Sequence, residues 1–215
     1  DLSQASISGI EKIDVAADSL SMTQAQWDEL GDRVSSVPGF NARYVLAMTE
    51  TGTKILTEDD RFDGVTGTSG DDTLVGNSHD NTLVGGAGND ALAGGQGNDR
   101  LVSGAGIDTL SGDAGNDVLV VTDKLNVRDV LDGGDGDSDV LQVSDGQSLV
   151  NATLINIEVL RGTGTVTLTS AQLNAMRLVD GLTVQLSDGN TRFTLSPTTE
   201  LVNGARILMT GSDPL

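Results

Sequence analysis

The sequence predicts an all-β protein with minor α-helix, built around a flattened spiral of short parallel strands. The first observation is a repeat: residues 67–120 divide, without insertion, into six frames of nine residues, each with leucine at its eighth position. Self-similarity at a fixed period is typical of repeat architectures, in which each unit packs on its neighbours. The second observation is the alternation of apolar and polar residues in both flanks, which is the period of a half-buried strand.

The six frames account for the spiral. They read GTSGDDTLV, GNSHDNTLV, GGAGNDALA, GGQGNDRLV, SGAGIDTLS and GDAGNDVLV. Such a unit can form a turn of about six residues and a strand of about three, in which alternate side chains point to opposite faces. The leucine then points inward and builds the core, whereas the variable seventh residue points outward. Two successive strands close one coil, so the strands stack as two parallel sheets, and turns on the same edge recur in every second frame.

Composition limits the classes of partner. The chain has 215 residues, with 32 acidic and 12 basic side chains and a net charge of −20, which argues against nucleic acid and anionic membranes and favours cations. It has no cysteine, which excludes disulfides, thiolate metal sites and cysteine nucleophiles. No apolar run is long enough to span a bilayer, and the first residues do not have the pattern of a signal peptide. We therefore expect neither a nucleic-acid partner nor membrane insertion.

The sixth position of the frame predicts a cation site along each edge of the spiral. One edge carries Asp72, Asp90 and Asp108, and the other carries Asn81, Asp99 and Asp117. Carboxylates on neighbouring strands, about 4.8 Å apart, repel by roughly 3–4 kcal/mol at an effective dielectric constant of about 20. Glycines at the first, second and fourth positions permit positive φ and let carbonyl groups point to a common centre. Such oxygen ligands suit Ca²⁺ better than Mg²⁺, whereas one histidine and no cysteine make zinc and copper poor candidates.

The frames at 85–93 and 94–102 resemble G-G-x-G-x-D-x-U-x, the repeat of the RTX (repeats-in-toxin) protein family. The resemblance covers residues 67–120 closely and 132–141 loosely. It implies a right-handed parallel β-roll with Ca²⁺ between consecutive turns on each edge. It also implies export by a type I secretion machinery and folding outside the cell, so that the protein is secreted, extracellular or on the cell surface. The implied metal ligands are Gly67, Ser69, Asp72, Gly76, Asn81, Gly85, Ala87, Asp90, Gly94, Gln96, Asp99, Ala105, Asp108, Ala114, Asp117, Asp135, Asp137 and Asp139.

The second frame departs from the family pattern. His79 stands where glycine is expected, and Asn81 stands where aspartate is expected. We predict that the site between this frame and the fourth is weaker than the others. We interpret His79 as a solvent-exposed turn residue rather than a catalytic or zinc-binding one.

The two flanks share motifs that favour an internal duplication. Each contains an Ile-Glu pair and, further on, a Thr-x-x-Gln helix capping box: Ile10-Glu11 with Thr23 and Gln26, and Ile157-Glu158 with Thr169 and Gln172. We predict helices over about 23–31 and 169–177. The expected organisation is a β-rich module at 1–60, the calcium-binding roll at 61–145, and a related β-rich module at 146–215. The flanking modules should cap the open ends of the roll, which otherwise expose sheet edges and leucines.

The sequence favours a structural role over catalysis. It contains no HExxH and no Gly-x-Ser-x-Gly motif, and its single histidine lies in a predicted turn, so we expect that it is not an enzyme. The leading interpretation is a calcium-binding segment of a large RTX protein that acts in cell-surface adhesion or surface-layer assembly, with neighbouring modules or cell-surface ligands as partners. One alternative is the secretion and folding domain of an exoenzyme or toxin whose catalytic part lies elsewhere. Calcium-dependent self-processing at Asp213-Pro214 and an ice-binding roll, which the irregular seventh positions disfavour, are the others.

Overall fold

The chain winds into a parallel β-solenoid of about seven turns with little helix. In this computed structural model the structure describes residues 13–15, 21–22, 34–36, 44–48, 51–56, 62–125, 128–187 and 199–209. The predicted fold class, all-β with minor α-helix and a parallel β-roll over the repeats, is confirmed. No helix in the described ranges is long and apolar enough to cross a membrane.

The strands have the following bounds in chain order. They are β1 (Ile13–Val15), β2 (Ser21–Met22), β3 (Val34–Ser36), β4 (Tyr44–Ala47), β5 (Thr53–Ile55), β6 (Phe62–Thr66), β7 (Thr73–Val75), β8 (Thr82–Ala87), β9 (Ala91–Gln96), β10 (Arg100–Ala105), β11 (Thr109–Ala114), β12 (Val118–Val120), β13 (Val130–Asp132), β14 (Val140–Val143), β15 (Gln147–Ser148), β16 (Thr153–Ile155), β17 (Val159–Leu168), β18 (Leu178–Leu186), β19 (Glu200–Val202) and β20 (Arg206–Met209). The helix α1 is Ser170–Ala175.

Two parallel sheets form the faces of the roll. The larger sheet has the order β19-β18-β17-β14-β12-β10-β8-β6-β4-β2, with β15 paired to β17 and β20 paired to β18. The smaller sheet has the order β16-β13-β11-β9-β7-β5, and β1 and β3 pair separately. Successive strands of the repeat segment therefore alternate between the two sheets, as the frames of nine predict.

The register places leucine on leucine in every coil of the repeat. In the larger sheet Leu101 pairs with Leu83 and Leu119, and in the smaller sheet Leu110 pairs with Leu92. Among these five leucines the largest exposed fraction is 2%. The eighth position thus forms a continuous apolar core, because each leucine lies directly above the one in the previous coil.

The flanking strands extend these same sheets. β4 and β5 precede the repeat in the larger and smaller sheet respectively, and β16 and β17 follow it. The core continues without a break from Leu56 to Leu186. The boundaries at residues 60 and 145 stay predictions, and strands from all three predicted segments contribute to the larger sheet.

The C-terminal capping box forms as predicted. The Oγ1 atom of Thr169 accepts a hydrogen bond from Gln172 N at 3.2 Å, and Gln172 Oε1 accepts one from Thr169 N at 2.9 Å. The helix ends at Ala175, slightly earlier than predicted, because Met176 is already extended. Helix 23–31, with its capping box, and the Ile10-Glu11 pair lie outside the described residues.

The leucine column makes a first prediction. Leu101 is fully buried between Leu83 and Leu119, so truncation to alanine leaves a cavity that its rigid neighbours cannot fill. In calcium-saturated protein, Leu101→Ala should lower the free energy of unfolding by about 2–5 kcal/mol. The exposed Thr109, at the seventh position of its frame, supplies the control, and Thr109→Ala should change it by less than about 0.5 kcal/mol. Urea unfolding measures both, and equal effects would contradict the assigned orientation.

Candidate calcium-binding edges

The sixth-position side chains stack in one column along each edge of the roll. On one edge Asp72 N donates to Asp90 Oδ1 at 2.9 Å, and Asp90 N donates to an oxygen of the next aspartate at the same distance. On the other edge Asn81 N donates to Asp99 Oδ1 at 2.7 Å, and Asp99 N donates onward in the same way at 2.6 Å. We call these two columns the inner ladders. Their spacing of 18 residues is the one that the frames predict.

The inner ladders run beyond the nonapeptide frames. Asp108 N donates to Asp129 Oδ1 at 3.1 Å across 21 residues, and Asp117 N donates to Asp139 Oδ1 at 2.7 Å across 22 residues. Asp139 N then donates to Glu158 Oε2 at 3.0 Å across 19 residues. Asp129 and Glu158 were not predictable as ladder residues from the sequence, because insertions after the last frame change the coil length and leave no fixed period to follow.

Four inner-ladder aspartates keep a buried oxygen without a hydrogen-bond partner in the described part of the chain. These atoms are the Oδ2 atoms of Asp90, Asp99, Asp117 and Asp139. Each of these residues is at most 2% exposed. A buried anionic oxygen without a partner is strongly unfavourable, and most buried polar atoms in native proteins are satisfied. The ladders therefore present acceptor oxygens that lack a positive partner.

Glycine at the first position of a frame brings a second oxygen to the Oδ2 atoms of Asp90 and Asp99. A Cβ atom on Gly85 would lie 2.5 Å from both Asp90 Oδ2 and the carbonyl oxygen of Ser103 in the next coil. On the other edge a Cβ atom on Gly94 would collide with Asp99 Oδ2 and the carbonyl oxygen of Gly112. The missing side chain lets a carboxylate oxygen and a carbonyl oxygen approach the same point. These are the hard oxygen ligands that Ca²⁺ prefers, so the residues present fit the ion.

The role expected for the first glycine needs a correction. The sequence predicts positive φ at the first, second and fourth positions of the frame. In the last four frames the second and fourth positions have it, as in Gly86 (φ 115°) and Gly88 (φ 111°), whereas in the first two frames they do not. Gly85, at the first position, does not, and its constraint is the close approach of the oxygen atoms described above. Glycine is therefore needed there for space rather than for backbone conformation.

In the first turn, both carboxylate oxygens of Asp72 have hydrogen-bond donors without a cation. Asp72 Oδ2 accepts hydrogen bonds from Thr68 N at 2.6 Å and from Thr68 Oγ1 at 2.8 Å, and its Oδ1 accepts one from Gly52 N at 2.7 Å. The amide of Asn81 offers a single oxygen, which already accepts from Asn77 N at 2.8 Å. These contacts make the early turns poorer cation sites than those at Asp90 and Asp99. His79 is exposed, as predicted.

A second column, the outer ladder, joins the fifth positions of the frames. Asn89 N donates to Asp71 Oδ1 at 2.7 Å, and Asn98 N donates to Asp80 Oδ1 at 2.7 Å. Asn116 N continues the second series by donating to Asn98 Oδ1 at 2.9 Å. In the outer ladder the N–H donor belongs to the later of the two coils. In the inner ladders the N–H donor belongs to the earlier coil. Neighbouring turns are therefore joined by hydrogen bonds that run in both directions. The sequence analysis treated this position as variable, although five of its six residues are aspartate or asparagine.

The remaining predicted ligands lie in the same turns, and their binding to metal stays a prediction. Asp135 and Asp137 are exposed in the turn at 133–139, where Asp137 N donates to Asn116 Oδ1 at 3.2 Å. The other residues contribute main-chain groups at the first and third turn positions: Gly67, Ser69, Gly76, Ala87, Gln96, Ala105 and Ala114. No three acidic or histidine side chains converge as a metal site within the described ranges. A calcium ion at these edges would therefore need main-chain carbonyl oxygens among its ligands.

In the absence of metal, burial raises the pKa values of several inner-ladder carboxylates above their ordinary value. Desolvation, together with the smaller effect of the neighbouring carboxylates of Asp99 and Asp139, raises the pKa of Asp117 to about 7. Desolvation likewise raises the pKa values of Asp99 and Asp108 to about 6. The hydrogen bond from the previous coil opposes each shift without cancelling it. The ionised carboxylates of the inner ladders therefore require a positive charge nearby to compensate for their burial.

The fold and its edges define a calcium-binding parallel β-roll. A family model described as the RTX calcium-binding nonapeptide repeat (4 copies) matches residues 66–101 and again residues 93–121. The chain therefore contains RTX calcium-binding nonapeptide repeats over this segment, and the cofactor of these repeats is Ca²⁺. Comparison with curated proteins and with solved structures gives no match.

The ladders predict which substitutions weaken calcium binding most. Asp90→Ala and Asp99→Ala each remove an otherwise unpartnered carboxylate oxygen, and we expect each to raise the calcium concentration at half-maximal folding by about 10-fold or more. Asn81→Ala removes only an amide whose oxygen is already engaged, so its shift should be smaller. Calcium titration followed by far-UV circular dichroism measures all three. A shift for Asn81→Ala as large as that for Asp99→Ala would contradict the assignment.

The raised pKa values predict that acid partly replaces calcium. An aspartate whose pKa rises from 3.8 to about 6 or 7 on folding binds more protons in the folded state between these values. Its contribution to stability is therefore complete below pH 3.8 and is lost as the pH rises through 6 to 7. In the presence of a chelator, lowering the pH from about 8 to about 5 should increase β-structure. High salt at pH 8 is the control for general charge screening, and an equal gain there would contradict the prediction.

Proposed function

We propose that this chain is a structural segment of a type I-secreted extracellular protein, that it folds when it binds Ca²⁺ after export, and that it acts in cell-surface adhesion or surface-layer assembly. The observation that carries the proposal is the set of buried Oδ2 atoms of Asp90, Asp99, Asp117 and Asp139, which find no hydrogen-bond partner among the residues described.

Conditional folding follows from this arrangement. Without a cation, each inner ladder combines buried carboxylates with mutual repulsion, and both effects disfavour the folded state. Calcium sites in extracellular modules typically have dissociation constants of about 10⁻⁴–10⁻³ M. A chain with sites of this strength stays unfolded where calcium is scarce, which suits passage through a secretion channel, and folds where calcium is plentiful.

The continuity of the sheets supports a mechanical role. Ten strands follow one another in the principal path of the larger sheet, and strands from both flanks lie at its ends. At about 4.8 Å per strand, this path spans roughly 40 Å. A calcium-bound roll of this kind is stiff, because every coil is hydrogen-bonded to both neighbours. Stiff spacers that connect further modules are what an adhesin or a surface layer requires.

The outward positions give no support to the alternative of an ice-binding surface. On the smaller sheet the seventh positions pair Thr73 with Ala91 and Ala91 with Thr109, and on the larger sheet they pair Thr82 with Arg100 and Arg100 with Val118. A flat lattice needs a regular row of similar side chains, and neither face has one. Asp213-Pro214, the candidate self-processing bond, lies outside the described residues.

Calcium dependence of folding tests the proposal directly. The full chain should have little β-structure in chelator and should gain it cooperatively as Ca²⁺ is added, because the ladders form as one unit. Mg²⁺ at the same concentration should have a much smaller effect, since it demands a tight octahedral site and retains its waters. Far-UV circular dichroism measures both titrations. Equal spectra in calcium and in chelator would overturn conditional folding.

The two surface roles differ in their expected assembly. A surface-layer segment should form ordered two-dimensional arrays when calcium is added, visible by negative-stain electron microscopy. An adhesive spacer should remain monomeric in calcium by light scattering and should bind cells when it is displayed on beads. A calcium-folded monomer that forms no arrays and binds no cells would contradict both roles and leave only the structural segment.

A further inference from the structure

We propose a calcium site beyond the nonapeptide repeats, formed between the turn at 133–139 and the turn at 156–158. We call it the terminal site and define it by the carboxylates of Asp139 and Glu158 and the main-chain carbonyl of Asn156. The terminal site rests on the calcium-dependent folding proposed above. Its additional function is to stabilise the packing of the C-terminal strands β17 and β18 on the roll.

Asp139 has the same unsatisfied carboxylate as the repeat aspartates. Its Oδ1 accepts the hydrogen bond from Asp117 N at 2.7 Å, and its Oδ2 is buried with no hydrogen-bond partner within the ranges that the structure describes. The residue is 0% exposed. An ionised oxygen in this position needs a cation or a donor, and none of the described side chains supplies one.

The next coil offers the oxygens that a repeat turn would offer. Glu158 Oε2 accepts from Asp139 N at 3.0 Å, in the place that the next aspartate takes elsewhere in the inner ladder. A Cβ atom on Gly133 would collide with the carbonyl oxygen of Asn156 and would lie 2.9 Å from the carboxyl carbon of Asp139. At Gly112 the corresponding atoms are the carbonyl oxygen of Gly133 and the carboxylate of the same turn. The oxygen arrangement of the repeat thus continues one coil further, although residues 154–158 contain no glycine and the family match ends at residue 121.

A cavity lies beside this position. It has a volume of about 510 Å³ and is lined by residues of both turns, including Gly136 and Asn156. The unpartnered Oδ2 of Asp139 lies 2.9 Å from the position of a Cβ atom on Gly136, a residue that lines the cavity. The exposed carboxylates of Asp135 and Asp137 also line it, and their negative potential favours the entry of a cation.

Glu158 connects this site to the next coil. Its carbonyl oxygen accepts hydrogen bonds from Arg177 N at 2.7 Å and from Leu178 N at 3.0 Å, where β18 begins. Ile157 beside it is 5% exposed and belongs to the apolar core. The Ile-Glu pair therefore places one residue in the core and one at the edge, and an ion bound to Glu158 would stabilise β17 and β18 together.

The Glu158→Gln substitution separates metal binding from a purely structural role. Glutamine keeps an oxygen that can accept the hydrogen bond from Asp139 N and removes the charge that a calcium ligand supplies. The matched control is Glu200→Gln, which makes the same chemical change at an exposed residue of β19. All measurements use the full chain, with Ca²⁺ as the probe.

Isothermal titration calorimetry and hydrogen exchange give the two readouts. In Glu158→Gln we expect one bound calcium ion to be lost or weakened by about 10- to 100-fold. Amide protection of β17 and β18 should require correspondingly more calcium, whereas protection of β8 to β11 should keep its wild-type midpoint. Asp139→Asn should behave in the same way, and Glu200→Gln should behave as wild type.

The possible failures are distinguishable. If the wild-type chain folds with calcium but Glu158→Gln has the same stoichiometry, affinities and protection midpoints, the terminal site is wrong and the proposed function stands. If the wild-type chain does not respond to calcium, the proposed function is wrong and the terminal site is wrong with it. If β17 and β18 lose protection in Glu158→Gln at every calcium concentration while all sites keep their affinity, the role of Glu158 is structural.

Discussion

The roll depends on one constraint: the inner-ladder aspartates at 90, 99, 117 and 139 each use one carboxylate oxygen to hold the previous coil and bury the other. The first oxygen accepts a main-chain N–H, as Asp117 Oδ1 does from Asp99 N at 2.6 Å. The second lies beside a carbonyl oxygen of the next coil, with no donor nearby in the described residues. Hydrogen bonding therefore aligns the coils but concentrates negative charge between them. The same geometry that aligns the coils therefore disfavours the folded state unless this charge is compensated.

The other repeated positions make sense as responses to that constraint. Glycine at the first position lets the two oxygens meet, and glycine at the second and fourth positions permits the backbone of the tight turn, as in Gly104 and Gly106 with φ of 105° and 143°. The outer ladder ties neighbouring turns together through the exposed carboxylates of Asp71 and Asp80 in the first coils and through the neutral side chains of Asn89, Asn98 and Asn116 in the later ones. The leucine column supplies apolar burial that does not depend on the ion. No single frame is stable by itself, because its hydrogen bonds, its core contacts and its cation ligands all come from neighbouring coils.

Residues in strict period were predictable from the sequence, and residues outside it were not. The spacing of 18 residues, the buried leucines and the two edges follow from alternation in a strand and from the frame of nine. The capping box at Thr169 was predictable because it is a local motif with its own hydrogen bonds. Asp129 and Glu158 were not, since they join the ladder at separations of 21 and 19 residues that only the paths of the loops determine. The outer ladder was missed for a different reason: asparagine in a turn has a sufficient local explanation, and its contact with the next coil is visible only in three dimensions.

The edge of Asp99 and Asp117 shows how an ion-dependent structure can join one that depends on apolar burial. From Asp99 to Asp139 each coil on this edge adds a buried carboxylate, whereas β17 and β18 contribute to the core the apolar residues Val166, Leu168, Val179, Leu182, Val184 and Leu186. Apolar burial of this kind stabilises a coil whether or not calcium is present. Glu158 lies at the junction, with its side chain on the ladder and its carbonyl oxygen bonded to the start of β18. The longer side chain of glutamate reaches Asp139 N from a turn without the glycines of the repeat, so the ladder can end on a coil whose backbone is already that of the flank. Because the two kinds of stabilisation meet at this residue, calcium bound on the edge of the roll would add to the stability that the C-terminal strands gain from their own apolar packing.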